Sequence, residues 1–102
     1  MKARPAAPSS EVVERAAALV GALRARAPRI HCITNGVAQA FTANVLLAAG
    51  AVPSMTTSPG EVGAFVKGCD ALLINLGTLD EERRAGIEVA LAAAAETGRR
   101  FV

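Results

Sequence analysis

Ser58-Pro59-Gly60-Glu61-Val62-Gly63-Ala64-Phe65-Val66-Lys67-Gly68-Cys69-Asp70-Ala71-Leu72-Leu73-Ile74-Asn75-Leu76-Gly77-Thr78 holds one complete unit of the rhythm on which this chain is built. Ser58, Pro59 and Glu61 have the spacing of a capping box with proline at the first helical position, which predicts a helix starting here. Val62, Phe65 and Val66 would form its inner face. Ala71-Leu72-Leu73-Ile74 is an apolar run without alternation, the pattern of a strand covered on both sides, so it is expected in the middle of a sheet. Asn75, Gly77 and Thr78 then read as the turn that leaves it.

The same unit recurs on either side. Ile30 to Ile33 reads as a strand, Thr34-Asn35-Gly36 as its turn, and Phe41 to Ala49 as a helix stopped by Gly50. Val52 to Met55 is a second strand. Thr78-Leu79-Asp80-Glu81 offers another capping box, opening a helix that runs to Thr97 with Gly98 as its stop; Arg99 to Val102 then has strand character. Upstream, Ser9 or Ser10 can cap a helix with Val12, Val13, Ala16, Ala17, Leu19, Val20 and Leu23 at helical spacing, ending before Pro28. Residues 1–8 are rich in proline and alanine and are expected to be a mobile tail, leaving 9–102 as part of one domain. Strands alternating with helices imply parallel βαβ units with right-handed crossovers. The expected fold class is α/β, a three-layer sandwich with a mostly parallel sheet, truncated at its C-terminal side because the last apolar run stops as it gathers length.

Composition narrows the function classes. The chain has 102 residues, 52% of them hydrophobic but only 3% aromatic, so its core is made of alanine-rich helix faces and aliphatic strands and is marginal in size. Its net charge of +2 comes from scattered residues and gives no footprint for nucleic acid or an anionic membrane. Every apolar run is interrupted well short of the ~18 residues of a membrane span. The N-terminus has no apolar signal segment, and the two cysteines, Cys32 and Cys69, lie far apart; both features point to the cytoplasm.

Ligands of open α/β sheets bind at the carboxyl ends of the strands. Those positions hold Thr34, Asn35 and Gly36, then Met55, Thr56, Thr57 and Ser58, then Asn75, Gly77 and Thr78. All are neutral, and ordinary βα turns and helix caps use the same residue types. His31 and Cys32 are strand neighbours with side chains on opposite faces, so they cannot form a nucleophile–base pair; a satisfied core or interface histidine is expected. Cys69 reads as an inert small hydrophobe. The phosphate-loop and dinucleotide signatures are missing. Asp80, Glu81 and Glu82 fit a solvated first helical turn better than a metal site.

Taken in order, His31-Cys32-Ile33-Thr34-Asn35, Phe41-Thr42-Ala43-Asn44, Leu46-Leu47-Ala48, Gly50-Ala51, Pro53-Ser54-Met55, Glu61-Val62 and Ala71 through Leu79 resemble the N-terminal part of hydroxyethylthiazole kinases. That resemblance implies a ribokinase-like fold and a homotrimer with its thiazole site between subunits. It also implies ATP- and Mg²⁺-dependent phosphorylation of 4-methyl-5-(2-hydroxyethyl)thiazole in thiamine salvage. Asn35 and Met55, the latter through its backbone amide, match substrate-contacting positions of the family, with Gly77 and Thr78 as further candidates. Two positions depart from the pattern: the family commonly has a larger residue at Gly36 and asparagine at Ala40. The family's L-D-P-V continuation of the strand at Phe101 and Val102, its ATP and magnesium elements and its catalytic residue are not among these residues. The chain is therefore expected to lack catalytic, ATP-binding and metal-binding residues and to be inactive alone. A non-enzymatic small-ligand-binding or subunit-interaction module is the alternative.

Overall fold

The computed structural model describes residues 9–102, so the expected tail at 1–8 lies outside the described residues. The elements in chain order are α1 (Ser10–Arg26), β1 (Arg29–Ile33), α2 (Gln39–Ala49), β2 (Val52–Met55), α3 (Pro59–Lys67), β3 (Ala71–Ile74), α4 (Glu81–Thr97) and β4 (Arg100–Phe101). The strands form one parallel sheet in the order β2-β1-β3-β4. The expected α/β class and the place of Ala71 to Ile74 between two strands both hold.

Topology dictates the layers. The chain steps from β1 outward to β2, then back across β1 to β3, and onward to β4. Right-handed crossovers in opposite directions put their helices on opposite faces, so α2 covers one face while α3 and α4 share the other. The α3–α4 face holds the core: Ile33, Val62, Val66, Cys69, Leu72, Ala90, Ala93 and Ala94, with Ile74 and Ile87 against them. Small residues let these layers close up. A Cβ at Gly86 of α4 would stand 2.4 Å from the Thr57 carbonyl oxygen, so only glycine admits the β2–α3 loop against this helix.

The other face differs from expectation. The apolar residues of α1 have helical spacing, yet neither α1 nor α2 contains a buried residue. α1 meets the end of α2 where Gly50, at φ 102°, allows the Arg24 backbone to approach; a Cβ there would stand 2.8 Å from Arg24 Cα. Of the three residues expected on the inner face of α3, Val62 and Val66 are fully buried and Phe65 remains 44% exposed.

Both capping boxes are corrected. Ser58 is the N-cap of α3, but its side chain caps nothing. The Glu61 N–H, which a capping box would direct to Ser58 Oγ, donates instead to the Ser58 carbonyl at 3.0 Å. At α4 the cap is Asp80, whose carboxylate accepts from the Arg83 N–H at 2.7 Å. Thr78 lies two residues upstream with φ 54°, a left-handed conformation costly for a β-branched residue.

Candidate functional site

In the strand order β2-β1-β3-β4 the direction of winding reverses at β1, and the adjoining carboxyl ends form the crevice where such folds hold ligands. Two asparagines bridge it. Asn35, just beyond β1, donates from Nδ2 to the Gly77 carbonyl at 3.3 Å and accepts the Ala38 N–H on Oδ1 at 2.9 Å. Asn75, just beyond β3, accepts the Gly77 N–H on Oδ1 at 2.9 Å and donates from Nδ2 to Thr34 Oγ1 at 3.2 Å. Each amide keeps a second hydrogen and a second lone pair, so Asn35 can meet a ligand while being held in place. Gly77 suits this packing, since a Cβ would stand 3.2 Å from Asn75 Oδ1 and 3.3 Å from Asn35 Nδ2 and would push both amides aside by a few tenths of an ångström.

Asn35, Gly77 and Thr78 are thus brought together, with Asn35 and Gly77 directly bonded. Met55 stands on the other side of β1, at the end of β2, paired in register with Cys32. Its backbone is placed by the ladder. Val52 donates its N–H to the Pro28 carbonyl, toward β1, at 2.8 Å. Backbone direction alternates along a strand, so Val52 and Ser54 face β1 while Pro53 and Met55 face the open edge. Proline has no N–H, and the Met55 N–H is the donor that this edge presents at its ligand-binding end.

Arg83 was not singled out from the sequence. It reaches from the first turn of α4 to the crevice, donating from Nε to the Thr34 carbonyl at 2.9 Å and pairing through its other nitrogen with Asp80. Its position three residues after a capping aspartate was the available signal. The Arg83 backbone N–H, foremost, and its guanidinium hold the Asp80 carboxyl below the usual range. Glu82 accepts from Thr57 Oγ1 at 3.2 Å, which ties the β2–α3 loop to the same helix.

His31 is the satisfied core histidine expected. It is fully buried, with Nδ1 2.8 Å from Ser54 Oγ and Nε2 3.0 Å from Thr56 Oγ1, and burial pushes its pKa below 6.5. Burial also pushes the Cys32 thiol up to about 11, helped by the neighbouring Cys69, so it stays protonated and unreactive at neutral pH. A groove of about 500 Å³ lies elsewhere: Arg29, Val52, Phe65 and Gly68 line it toward the amino ends of the strands. It includes none of the candidate site residues.

The carboxylates present do not fit a magnesium ion. Asp80 and Glu82 are engaged with Arg83 and Thr57, and among the described residues no three histidine, cysteine, aspartate or glutamate side chains converge. No helix among them is long and apolar enough to cross a membrane.

Comparison with known proteins addresses the family of the chain. The model of the hydroxyethylthiazole kinase family matches residues 20–102. The chain belongs to this family. It is 51% identical over 77 residues to a hydroxyethylthiazole kinase of Klebsiella pneumoniae, covering 76% of this chain and 30% of that protein. It is 42% identical over 102 residues to one of Pectobacterium carotovorum, covering all of this chain and 38% of that one. A solved structure of a Pyrococcus horikoshii hydroxyethylthiazole kinase superimposes with a TM-score of 0.77 at 39% identity, covering 80% of this chain and 32% of the other. The chain therefore spans about a third of the length of the relatives it matches.

Proposed function

We propose that these residues supply one wall of the thiazole pocket of a hydroxyethylthiazole kinase, an enzyme that phosphorylates the hydroxyl of 4-methyl-5-(2-hydroxyethyl)thiazole. The observation that carries this reading is the Met55 N–H, which strand alternation turns to the outer edge of β2, where no strand pairs with it among the described residues. Asn35 is the second contact, held by Gly77 and Ala38 with hydrogen-bonding capacity left over. Gly77 keeps the crevice clear of a side chain, and Thr78 shapes its rim. Residues 9–102 act as the N-terminal part of a single ribokinase-like domain.

Phosphoryl transfer needs a positioned donor and charge stabilisation at the transferred group. On this reading ATP and Mg²⁺ are held outside residues 1–102, and the full enzyme works in the cytoplasm as a homotrimer. The 102 residues then bind the thiazole alcohol without turning it over. Calorimetric titration of the chain with the thiazole alcohol, beside an assay of ADP release with ATP and Mg²⁺, tests both halves. The expected result is a heat of binding that Asn35→Leu weakens, with no ADP. Turnover at the rate of a full-length relative, or binding indifferent to Asn35, overturns the reading.

The exposed apolar residues of α2, with Phe41 at 73% and Leu47 at 58%, favour a second reading in which the chain serves as a subunit-interaction module. Sedimentation analysis separates the two: association without any heat from the thiazole alcohol supports the module.

A further inference from the structure

His31, the chain's single histidine, has no part in the binding just described, yet it sits beside it. Its ring is fully buried and stacks on Phe65 with centroids 5.1 Å apart and planes inclined by 26°. Its two nitrogens meet Ser54 Oγ at 2.8 Å and Thr56 Oγ1 at 3.0 Å. A neutral imidazole has one donor and one acceptor, so one hydroxyl must receive its proton and the other must donate to it. The arrangement is directional and leaves neither hydroxyl free to rotate.

Ser54 and Thr56 are the residues on either side of Met55. Their side chains share one face of β2, and the Met55 N–H belongs to the peptide that joins Ser54 to Met55. Regular β1–β2 pairing ends at the Cys32–Met55 rung, and Thr56 lies beyond it. Holding the side chains on both flanks fixes the two peptide planes that meet at Met55 just where the strand ladder stops. An aliphatic residue at position 31 would fill the same space against Phe65 and hold neither flank.

We propose that His31 is a positioning residue that aims the Met55 N–H at the ligand by gripping Ser54 and Thr56. The ligand-binding side of this inference rests on the reading of Met55 as a thiazole contact; the aiming of the N–H does not. The test uses the ¹⁵N-labelled chain with Thr56→Val, His31→Leu and His31→Gln, following the Met55 amide resonance and the affinity for the thiazole alcohol. Thr56→Val keeps the shape of the side chain and removes one grip. It should move the Met55 amide while leaving that of Leu72 in place, and should weaken binding of the alcohol roughly tenfold, the worth of one well-made hydrogen bond. His31→Leu should do more, and His31→Gln, which restores a donor and an acceptor, should recover part of the loss.

A Met55 amide unmoved in Thr56→Val overturns the proposal even if His31→Leu fails to fold. Equal effects of His31→Leu and His31→Gln would also overturn it, since a purely space-filling role would give that result. If the alcohol leaves the Met55 resonance of the unsubstituted chain untouched, the thiazole reading fails, and the response to Thr56→Val still decides the role of His31.

Discussion

On the side of α3 and α4, Val62, Val66, Ala90 and Ala94 are exposed by no more than 1%, whereas across the sheet Val13, Leu19, Phe41 and Leu47 are all more than half exposed. Both sides are apolar in sequence; α2 is the more hydrophobic in composition. The difference lies in what each helix has to pack against. α3 and α4 lie over the middle of the sheet and against each other, meeting through small residues such as Gly63, which faces Val89, and Gly86, which faces Thr57. α2 lies toward β2 at the sheet margin and meets α1 near its end, and none of its residues is buried. Helical periodicity reports which residues could be buried, and the breadth of the surface beneath decides which are.

Substitutions matched across the two faces give the largest contrast. Leu72→Ala, in a side chain 1% exposed at the centre of the α3–α4 core, should lower unfolding free energy by about 2–5 kcal/mol in urea titrations. Leu47→Ala in α2 should change it by about 0.5 kcal/mol or less. Equal losses would mean that the two faces are packed alike in solution. Glycines give the next contrast. Gly86→Ala drives a methyl into the Thr57 carbonyl and should cost about 1–3 kcal/mol, displacing the loop that follows Met55. Gly21→Ala in α1 meets open space and should stabilise the chain by about 0.5–1 kcal/mol, the ordinary helix-propensity gain.

These contrasts also mark how far the sequence could be read. Ala71 to Ile74 coincides with a strand because four apolar residues between turn signals leave little choice, Val52 to Met55 is an edge strand that tolerates Pro53, and Gly50 and Gly98 stop their helices in the left-handed conformation expected. The capping-box motif specifies residue types, not where the first turn begins or which acceptor its N–H takes: the Glu61 N–H goes to the Ser58 carbonyl, and the cap of α4 falls two residues beyond Thr78, on Asp80. In the site, the motifs placed Asn35, Met55, Gly77 and Thr78 along the carboxyl edge. They could not show that Asn75 and Asn35 meet over Gly77, or that Arg83 reaches Thr34, since these contacts join residues 42 and 49 positions apart. His31 was legible as a buried histidine, but its two partners depend on the β1–β2 register.

A pH titration probes the α3–α4 face at its polar point. Burial holds the folded-state pKa of His31 below the 6.5 of an exposed histidine, so the unfolded chain takes up the proton more readily. The stability linked to His31 is therefore complete above pH 6.5 and is lost as pH falls from there toward the folded-state value. Urea midpoints measured from pH 7.5 down to 5 should fall over that interval, and His31→Gln should flatten the fall. A midpoint that rises as the pH drops would mean that the ring is charged in the folded protein. Carboxylates contribute at the lower end of the range, which is why the difference between the two proteins is the quantity to measure.

The smallest expected contrast separates two residues that look alike in sequence as helix caps. Asp80 accepts the Arg83 N–H at 2.7 Å at the start of α4 and also pairs with its guanidinium. Ser58 lends α3 only its backbone carbonyl. Asp80→Ala removes the partner of an otherwise orphaned N–H and frees the side chain that reaches Thr34, so it should lower the urea midpoint and loosen the Asn35–Gly77 crevice together. Ser58→Ala keeps every hydrogen bond that α3 makes with residue 58 and should leave the midpoint within error. The depressed pKa of Asp80 gives this contrast a signature of its own: the folded state favours the carboxylate, so the advantage of aspartate over alanine should disappear as the pH falls through the Asp80 titration. If Ser58→Ala proves as costly as Asp80→Ala, the capping box forms in solution after all, with Ser58 Oγ taking the Glu61 N–H in place of the carbonyl.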